Sequence, residues 1–361
     1  MRLIFLGDIA LNGDYIDLIN NSVNPFANLI DELSNADFVV GNLECLLSGS
    51  DGENLYKKPR LYTTREALKY LLSIQLNVAC LANNHIYDHL DDGIDKTLNF
   101  LKEHNIYTIG FSYNSKPDVS PLILKKNNVS VALFNFVTKD TNICKPDHTK
   151  IAVNVLDIEE ATRLIKVYRD QVNFIVFIIH WGGIIEGGLF PDRMQPVIAR
   201  KLIDGGADLI IGHHSHTIQP YEKYKGKYIF YSLGNFCFSN FFFDNIYHPM
   251  PKRRMRTVLL SVDFSCSPQL NNYKFDINYY FNNKSFYSKT PHYKYWHNIH
   301  NFIFSYLLRR ISIIWYFYFI HLKYVLPLYF FIKRSDLTLY VKLERLYFSL
   351  KRRITNKIFH K

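Results

Sequence analysis

The chain has 361 residues, of which 48% are hydrophobic and 21% are charged. This composition is typical of a globular protein of one or two domains, and it excludes a disordered, collagen-like or coiled-coil chain. The five cysteines are odd in number and include no C-x-x-C pair. That pattern excludes a disulfide framework or a cysteine zinc site, and it indicates a reducing compartment.

The net charge of +11 is concentrated at the C-terminal end. Residues 301–361 contain 12 Lys and Arg against two acidic residues, so they carry +10 of the total. At the other end, only residues 3–6 form an apolar run before Gly7 and Asp8, which is too short for a signal peptide. We therefore expect a cytoplasmic protein with a neutral body and a cationic tail.

Short apolar runs alternate with helical patterns along residues 1–264, which is typical of an α/β protein. Most runs are apolar on both faces, as in a sheet that is covered on both sides. The predicted strands are residues 3–6, 38–40, 78–81, 131–136, 174–179 and 209–211. The predicted helices are residues 65–73, 92–103, 159–169 and 195–204.

Two hairpins are predicted from turn residues between apolar runs. One joins residues 123–125 to 129–133 across Asn127-Asn128, and the other joins 221–224 to 227–231 around Gly226. From residue 265 the sequence becomes polar and rich in Asn. We therefore expect a domain at residues 1–264, a linker or domain edge at 265–300 and a cationic extension at 301–361.

Polar residues of a few types follow the C-terminal ends of the predicted strands, the edge where ligands bind in open α/β sheets. These segments are Gly7-Asp8, Asn42-Leu43-Glu44, Asn83-Asn84-His85, His180-Trp181-Gly182 and His213-His214-Ser215-His216. Carboxylates, amides and imidazoles together suit a divalent ion such as Mn, Fe or Zn. The sequence therefore predicts a metal centre at this edge.

Each segment alone also has an ordinary structural explanation. Asp8 fits a turn, Asn84-His85 fits a helix cap, and His180 fits a buried core histidine. His214 and His216 are a stronger signal, because alternate residues of an extended segment point the same way and paired imidazoles are unusual without a metal. The ordinary explanation needs five coincidences, so the metal centre is favoured.

In order and spacing, these motifs resemble those of the CapA capsule-synthesis (PGA-cap) family of the calcineurin-like metallophosphoesterase superfamily. The resemblance runs from residue 1 to about Phe264. Its further segments are Asp88, Gly205-Gly206-Ala207-Asp208 and Tyr231-Ser232-Leu233-Gly234-Asn235-Phe236. It implies a four-layer α/β/β/α metallophosphoesterase-like sandwich, to which we add a basic, aromatic-rich helical C-terminal extension.

The resemblance also implies a dinuclear site. Asp8 would be the first ligand and Glu44 the bridging carboxylate. Asn84, His180 and His214 would bind one ion, and His216 would complete the other. His85 would act as general acid or transition-state stabiliser, and Asp88 would orient it.

Two departures from the superfamily leave the number of ions open. The superfamily begins with Asp-x-His, whereas Ala10 stands two residues after Asp8. Glu44 stands where the superfamily has Asp, and Asn42 occupies an acid-like position. CapA-type proteins share these features, so the departures do not weaken the family resemblance. A single ion is the alternative to the dinuclear site.

Three further residues are candidates for substrate binding. Asn42 lies among the predicted ligands. Trp181 would either pack in the core or form a substrate wall. Glu186, in the Gly-rich loop 182–188, would either reach the site or stay solvated.

The tail contains a 22-residue apolar run at 311–332, flanked by basic pairs. Lys323 lies near its centre and would cost about 2.5–3.5 kcal/mol in a bilayer, so we expect this segment to lie on an anionic membrane surface rather than span it. The alternative is that the segment binds a partner protein. Nucleic acid is disfavoured as a partner because the body of the protein is neutral. In addition, the basic residues of the tail lie among long apolar runs that would not stay exposed to water.

Two functions follow from these observations. The first is a CapA-like metal-dependent hydrolase, peripheral at the inner face of the membrane, that acts in the biosynthesis of a polyglutamate or polysaccharide capsule. It would cleave a phosphoester in preference to an amide or another ester, in a small-molecule or polymer substrate. The second is a non-catalytic metal-binding scaffold or regulatory subunit of a polymer-synthesis complex.

Overall fold

The computed structural model describes residues 1–113, 117–183, 186–243, 246–266, 271–308 and residue 318. The chain divides into two compact units, residues 1–306 and 307–361, and the elements given below belong to the first. The apolar run 311–332 lies outside the described residues except at residue 318. Within the described ranges, no helix combines the length and apolar character needed to cross a bilayer.

The described residues form two large sheets, three two-stranded sheets and a set of helices. In chain order, the strands are β1 (Arg2–Ile9), β2 (Phe38–Leu43), β3 (Leu46–Leu47), β4 (Tyr62–Thr63), β5 (Leu76–Cys80), β6 (Tyr107–Ile109), β7 (Phe111–Ser112), β8 (Leu122–Lys126), β9 (Val129–Val137), β10 (Ala152–Val153), β11 (Phe174–His180), β12 (Leu209–His213), β13 (Tyr221–Tyr224), β14 (Lys227–Phe230), β15 (Asn235–Cys237), β16 (Phe241–Phe243), β17 (Ile246–His248), β18 (Arg256–Cys266), β19 (Asn271–Asn282) and β20 (Tyr287–Lys289). The α-helices are α1 (Asp14–Asn20), α2 (Ile30–Leu33), α3 (Arg65–Leu68), α4 (Tyr70–Ser73), α5 (Leu90–Glu103), α6 (Ile158–Tyr168), α7 (Met194–Gly205) and α8 (Tyr293–Ile303).

The first large sheet has the order β20-β19-β18-β1-β2-β5-β6, and β15 also pairs with the end of β1. Strands β1, β2, β5 and β6 run parallel, whereas β18, β19 and β20 are antiparallel additions. The second large sheet has the order β13-β14-β12-β11-β9-β8, with β9, β11, β12 and β14 parallel. All six strands predicted from the sequence are confirmed as parallel strands of these two sheets.

The two large sheets pack face to face and share a core built from alternate side chains. Phe5 of β1 and Val176 of β11 lie in this shared core. Ile4 of β1 points the other way, into a second core that α1 to α5 complete. On the opposite side, Phe134 of β9 packs against Tyr168 of α6. The order of layers is therefore helices, sheet, sheet, helices, and the predicted four-layer sandwich is confirmed.

The predicted helices and hairpins also form. The predicted helix 65–73 is two short helices, α3 and α4, and the other three keep their predicted limits within two residues. In the β8–β9 hairpin, Asn127 and Asn128 have φ of 49° and 61°. Positive φ at both central residues is what a type I′ turn requires, and Asn tolerates it. Gly226, with φ of 79°, makes the β13–β14 turn.

The segment 265–300 is more ordered than the predicted linker or domain edge. Its described residues form β19, β20 and α8, and β19 pairs with β18 from Arg256↔Phe281 to Cys266↔Asn271. The segment thus extends the first sheet. The functional division of the chain at residues 264 and 300 stays a prediction.

We expect Gly7→Ala to lower the free energy of unfolding by at least about 2 kcal/mol, because overpacking a rigid core is costly. A Cβ at Gly7 would lie 2.0 Å from the carbonyl oxygen of Gly234, which belongs to the backbone next to β15. The matched control is Gly205→Ala in α7, where the nearest atom is a Thr162 methyl at 3.2 Å. Chemical denaturation of both variants checks this, and equal stability would contradict the close approach.

Candidate metal centre

A cluster of buried polar side chains lies where parallel strands of both sheets end. Asp8 at the end of β1 is the register partner of Asn42 at the end of β2, and His180 at the end of β11 is the partner of His213 at the end of β12. Every side chain of the cluster comes from a residue that is at most 4% exposed. Its members are Asp8, Asn42, Glu44, Asn84, His180, His213, His214 and His216.

The Asn42 amide links three of these side chains. Its Nδ2 donates to Asp8 Oδ1 and to Glu44 Oε1, each at 2.9 Å, and lies 3.2 Å from His180 Nδ1. One ligand atom each of Asp8, Glu44 and His180 lies within 4.8 Å of the others. We call Asp8, Glu44 and His180 the inner group.

Electrostatics in the inner group favour a cation. Burial and the Asp8 charge raise the pKa of Glu44 well above its usual value, because two carboxylates share one dry site. Burial also acts on Asp8, but hydrogen bonds from His213 and His216 hold its pKa well below the usual range. Burial and His214 lower the pKa of His180, which keeps the imidazole neutral. A neutral imidazole and two carboxylates are ligands for a divalent ion.

Three atoms of the cluster support this fit, because each is buried and has no hydrogen-bond partner among the residues that the structure describes. They are Glu44 Oε2, Asn42 Oδ1 and His214 Nδ1. A buried polar atom without a partner costs about 1–3 kcal/mol. A bound cation would satisfy oxygen and nitrogen lone pairs of this kind, so the residues present fit a divalent metal.

Asn84 extends the inner group. Its Oδ1 lies 2.9 Å from His180 Nε2. The neighbouring Asn83 holds the turn after β5, because its Nδ2 donates to the Leu43 carbonyl and its Oδ1 accepts from the His85 amide. The turn thus carries Asn84 to His180, as a ligand of the same ion would require.

A second set of ligand atoms lies beside the inner group. Glu186, His214 and His216 each offer one atom within 4.8 Å of the others, and we call them the outer group. Burial lowers the pKa of His214 to about 4. Burial opposes ionisation of Glu186, but His216 and Arg254 lower its pKa to about 2. Glu44 lies between the two groups, since its Oε2 is 3.9 Å from His216 Nε2.

His85 and Asp88 form a buried pair next to the cluster. The distance from His85 Nδ1 to Asp88 Oδ2 is 2.6 Å, and the Leu61 amide donates to the same Asp88 oxygen. Asp88 therefore fixes the orientation of the imidazole.

The structure places two candidate substrate residues inside the protein. Trp181 is fully buried, and its indole N–H donates to the Tyr231 carbonyl, so it packs in the core and forms no wall of the site. Asn42 is also buried, and its amide hydrogens are donated to the carboxylates of Asp8 and Glu44. It therefore positions the inner group, and the substrate-binding role expected for it stays a prediction.

One residue of the cluster was missed by the sequence analysis, and one argument was wrong. His213 was not assigned a role, yet its Nδ1 lies 2.8 Å from Asp8 Oδ1. The alternate-residue argument for His214 and His216 assumed an extended segment. Their φ angles are 93° and 57°, so the segment after β12 is a turn. This turn brings the His214 amide and the His216 imidazole to Asp8, each at 3.3 Å from Oδ2. The run of three His in four residues was the signal for His213.

The fold and the cluster define an α/β/β/α sandwich protein with a candidate divalent-metal centre. The chain belongs to the family described as "Bacterial capsule synthesis protein PGA_cap", whose family model matches residues 2–240. It is 30% identical over 241 residues to the PGA biosynthesis protein CapA of Bacillus subtilis, covering 65% of this chain and 62% of that protein. It is 28% identical over 253 residues to the capsule biosynthesis protein CapA of Bacillus anthracis, covering 66% and 60%. The chain thus spans about three fifths of the length of these relatives.

Among solved structures, the chain is similar to a putative 5'-nucleotidase from Staphylococcus aureus in complex with alpha-ketoglutarate. The TM-score is 0.48 at 13% identity, covering 77% of this chain and 53% of that one. The 5'-nucleotidase precursor from Thermus thermophilus gives a TM-score of 0.46 at 18% identity, covering 77% and 54%.

We expect Mn²⁺ to raise the melting temperature of the wild-type protein, because a ligand at 100 times its Kd stabilises the folded state by about 2.7 kcal/mol. Glu44→Gln should lose most of the increase in melting temperature that Mn²⁺ causes. In the absence of metal, the variant and the wild type should have the same melting temperature. The matched control is Glu103→Gln, which neutralises an exposed carboxylate that pairs with Arg65 at the far end of α5. Differential scanning fluorimetry measures the shifts. An equal shift in all three proteins would exclude Glu44 as a ligand.

Proposed function

We propose that this protein is a metal-dependent hydrolase that cleaves a phosphoester during the synthesis of a bacterial surface polymer. The observation that carries the proposal is the position of the His85–Asp88 pair. His85 directly follows Asn84, whose side chain contacts His180 of the inner group. A proton donor thus lies beside a set of ligands that fits a divalent ion.

In the proposed hydrolysis, some residues position the metal ligands and others donate a proton. A divalent ion at the inner group would polarise the phosphoryl group and make a water molecule acidic enough to attack at neutral pH. Asn42 holds the Asp8 and Glu44 carboxylates in place for it. His85 Nε2 donates a proton to the leaving oxygen, and Asp88 supports the charge and tautomer that this donation needs.

The role in polymer synthesis is supported by family membership and by the names of two relatives. Those names say that the relatives act in PGA and capsule biosynthesis. The polymer, polyglutamate or polysaccharide, and the bond cleaved belong to the proposal. The competing function is a non-catalytic metal-binding scaffold, which the buried, apolar Ala10 two residues after Asp8 favours.

We expect His85→Gln to reduce the kcat for bis(p-nitrophenyl) phosphate with Mn²⁺ by about 10²–10⁴, the usual contribution of a general acid. Metal content per chain should stay unchanged, because His85 is paired with Asp88 and is not in either ligand group. His148→Gln, at an exposed position, is the matched control. Absence of hydrolysis in a wild type that binds metal, over a wide phosphoester panel, would favour the scaffold.

We also propose that residues 301–361 hold the protein on an anionic membrane surface. The support is the charge of +10 in a segment rich in apolar and aromatic residues. Each Lys or Arg near such a surface contributes about 1 kcal/mol.

The full chain should therefore sediment with vesicles that contain phosphatidylglycerol and stay free of pure phosphatidylcholine vesicles. The bound fraction should fall as salt rises from about 0.1 to about 1 M, because screening shortens the reach of the tail charges to about 3 Å. Equal sedimentation with both vesicles, or salt-independent binding, would contradict an electrostatic anchor.

A further inference from the structure

Two cationic side chains with little exposed surface, Lys57 and Arg254, lie beside the metal centre, and the proposed hydrolysis uses neither of them. We propose that Lys57 and Arg254 form an anion-binding subsite, which holds a phosphate or carboxylate oxyanion of the substrate beside the scissile bond. The inference rests on the proposed function, because it names the class of substrate that the same centre binds.

Lys57 lies in a loop that is closed on Asp88 at both ends. The Asn54 amide donates to the Asp88 carbonyl at 2.9 Å, and the Leu61 amide donates to the Asp88 side chain at 2.7 Å. Within this loop, the Lys57 amide donates to the Asn54 carbonyl at 3.2 Å. The lysine is therefore held next to the residue that orients His85.

The Lys57 ammonium lacks the partners that a buried charge needs. The residue is 2% exposed, and its Nζ donates to one acceptor in the described part of the chain, the Asn142 carbonyl at 3.0 Å. Two of its three N–H groups have no acceptor there. Burial lowers the pKa of the ammonium, and its charge interacts with the carboxylates of Asp88, Glu186 and Glu44. A substrate oxyanion at the centre would supply the missing acceptors.

Arg254 brings a guanidinium to the centre from the segment before β18. Its Nη1 lies 3.3 Å from Glu186 Oε2, and its Nε is buried and has no hydrogen-bond partner among the described residues. A Cβ at Gly187 would lie 2.8 Å from Nη2, so the guanidinium occupies space that the absent side chain leaves. The Asn235 amide donates to the Arg254 carbonyl at 3.1 Å, while its oxygen lies 2.8 Å from His216 Nδ1. One side chain thus links the arginine backbone to the outer group.

A guanidinium beside a set of metal ligands is unfavourable for the ion alone, because its charge repels the cation that those ligands fit. A substrate oxyanion removes this conflict, since the ion, the ammonium and the guanidinium all attract it. The planar fork of an arginine binds phosphate or carboxylate through two parallel hydrogen bonds, and a lysine adds a compact point charge. An oxyanion therefore fits the chemistry of both residues.

Isothermal titration calorimetry of the full-length protein with Mn²⁺ tests the subsite, with inorganic phosphate and glutarate as probes. Lys57→Met and Arg254→Gln should each weaken the better-bound probe about tenfold or more, because each removes a hydrogen bond to a charged group. The matched control is Arg163→Gln, since this exposed arginine pairs with Glu160 on α6. Preference for phosphate assigns the subsite to phosphoryl oxygens, and preference for glutarate assigns it to a carboxylate of the substrate.

The melting temperature separates this role from a structural one. Asn142 is an exposed residue, so water can replace the ammonium at its carbonyl. Lys57→Met removes a buried charge that has no ion-pair partner among the described residues, so its melting temperature should equal or exceed that of the wild type. A lower melting temperature would assign Lys57 to a clamp between loops and overturn its place in the subsite.

Two further results would overturn the inference. One is a wild type that binds neither probe in the presence of Mn²⁺. The other is unchanged probe affinity in both variants. Weaker probe binding in both variants, together with a wild type that hydrolyses no phosphoester, would support the subsite and remove the proposed activity.

Discussion

The arrangement of the two sheets at the site depends on two buried carboxylates, Asp8 and Glu44, which accept hydrogen bonds from the same amide group. Asn42 donates to both, and the cost of placing them together in a dry site is visible in the raised pKa of Glu44. Such a site is stable only when cationic or donating groups surround it. The surrounding histidines come from the second sheet, so the same electrostatic requirement that builds the site also joins the two sheets at this edge.

The location of the site could be predicted from the sequence because parallel strands that are apolar on both faces leave few places for polar residues. Where Asp8, Asn42 or His180 ends an apolar run, it must lie at the carboxyl edge of its sheet. The composition of each segment then indicates the chemistry. The sequence does not reveal the backbone conformation after a strand ends. The turn at His214 was therefore missed, because side chains alternate between two faces only while the strand continues.

The strands that the sequence hid are those with one solvated face. In β19, Tyr273, Phe275, Ile277 and Tyr279 lie on the face that packs toward the second sheet, while Lys274 and Asp276 are exposed. Four of the 12 residues of this strand are Asn, so the sequence analysis interpreted the region as a domain boundary although the period of two is intact from Tyr273 to Tyr279. Composition averaged over a window therefore fails where the two faces of a strand differ most.

The two ligand groups differ in how firmly the fold holds them. Every member of the inner group lies at or just past the end of a parallel strand, and its position is fixed by sheet register. The outer group takes one of its three side chains, Glu186, from a position six residues past the end of β11. Sheet register therefore fixes the geometry of the inner group more directly than that of the outer group.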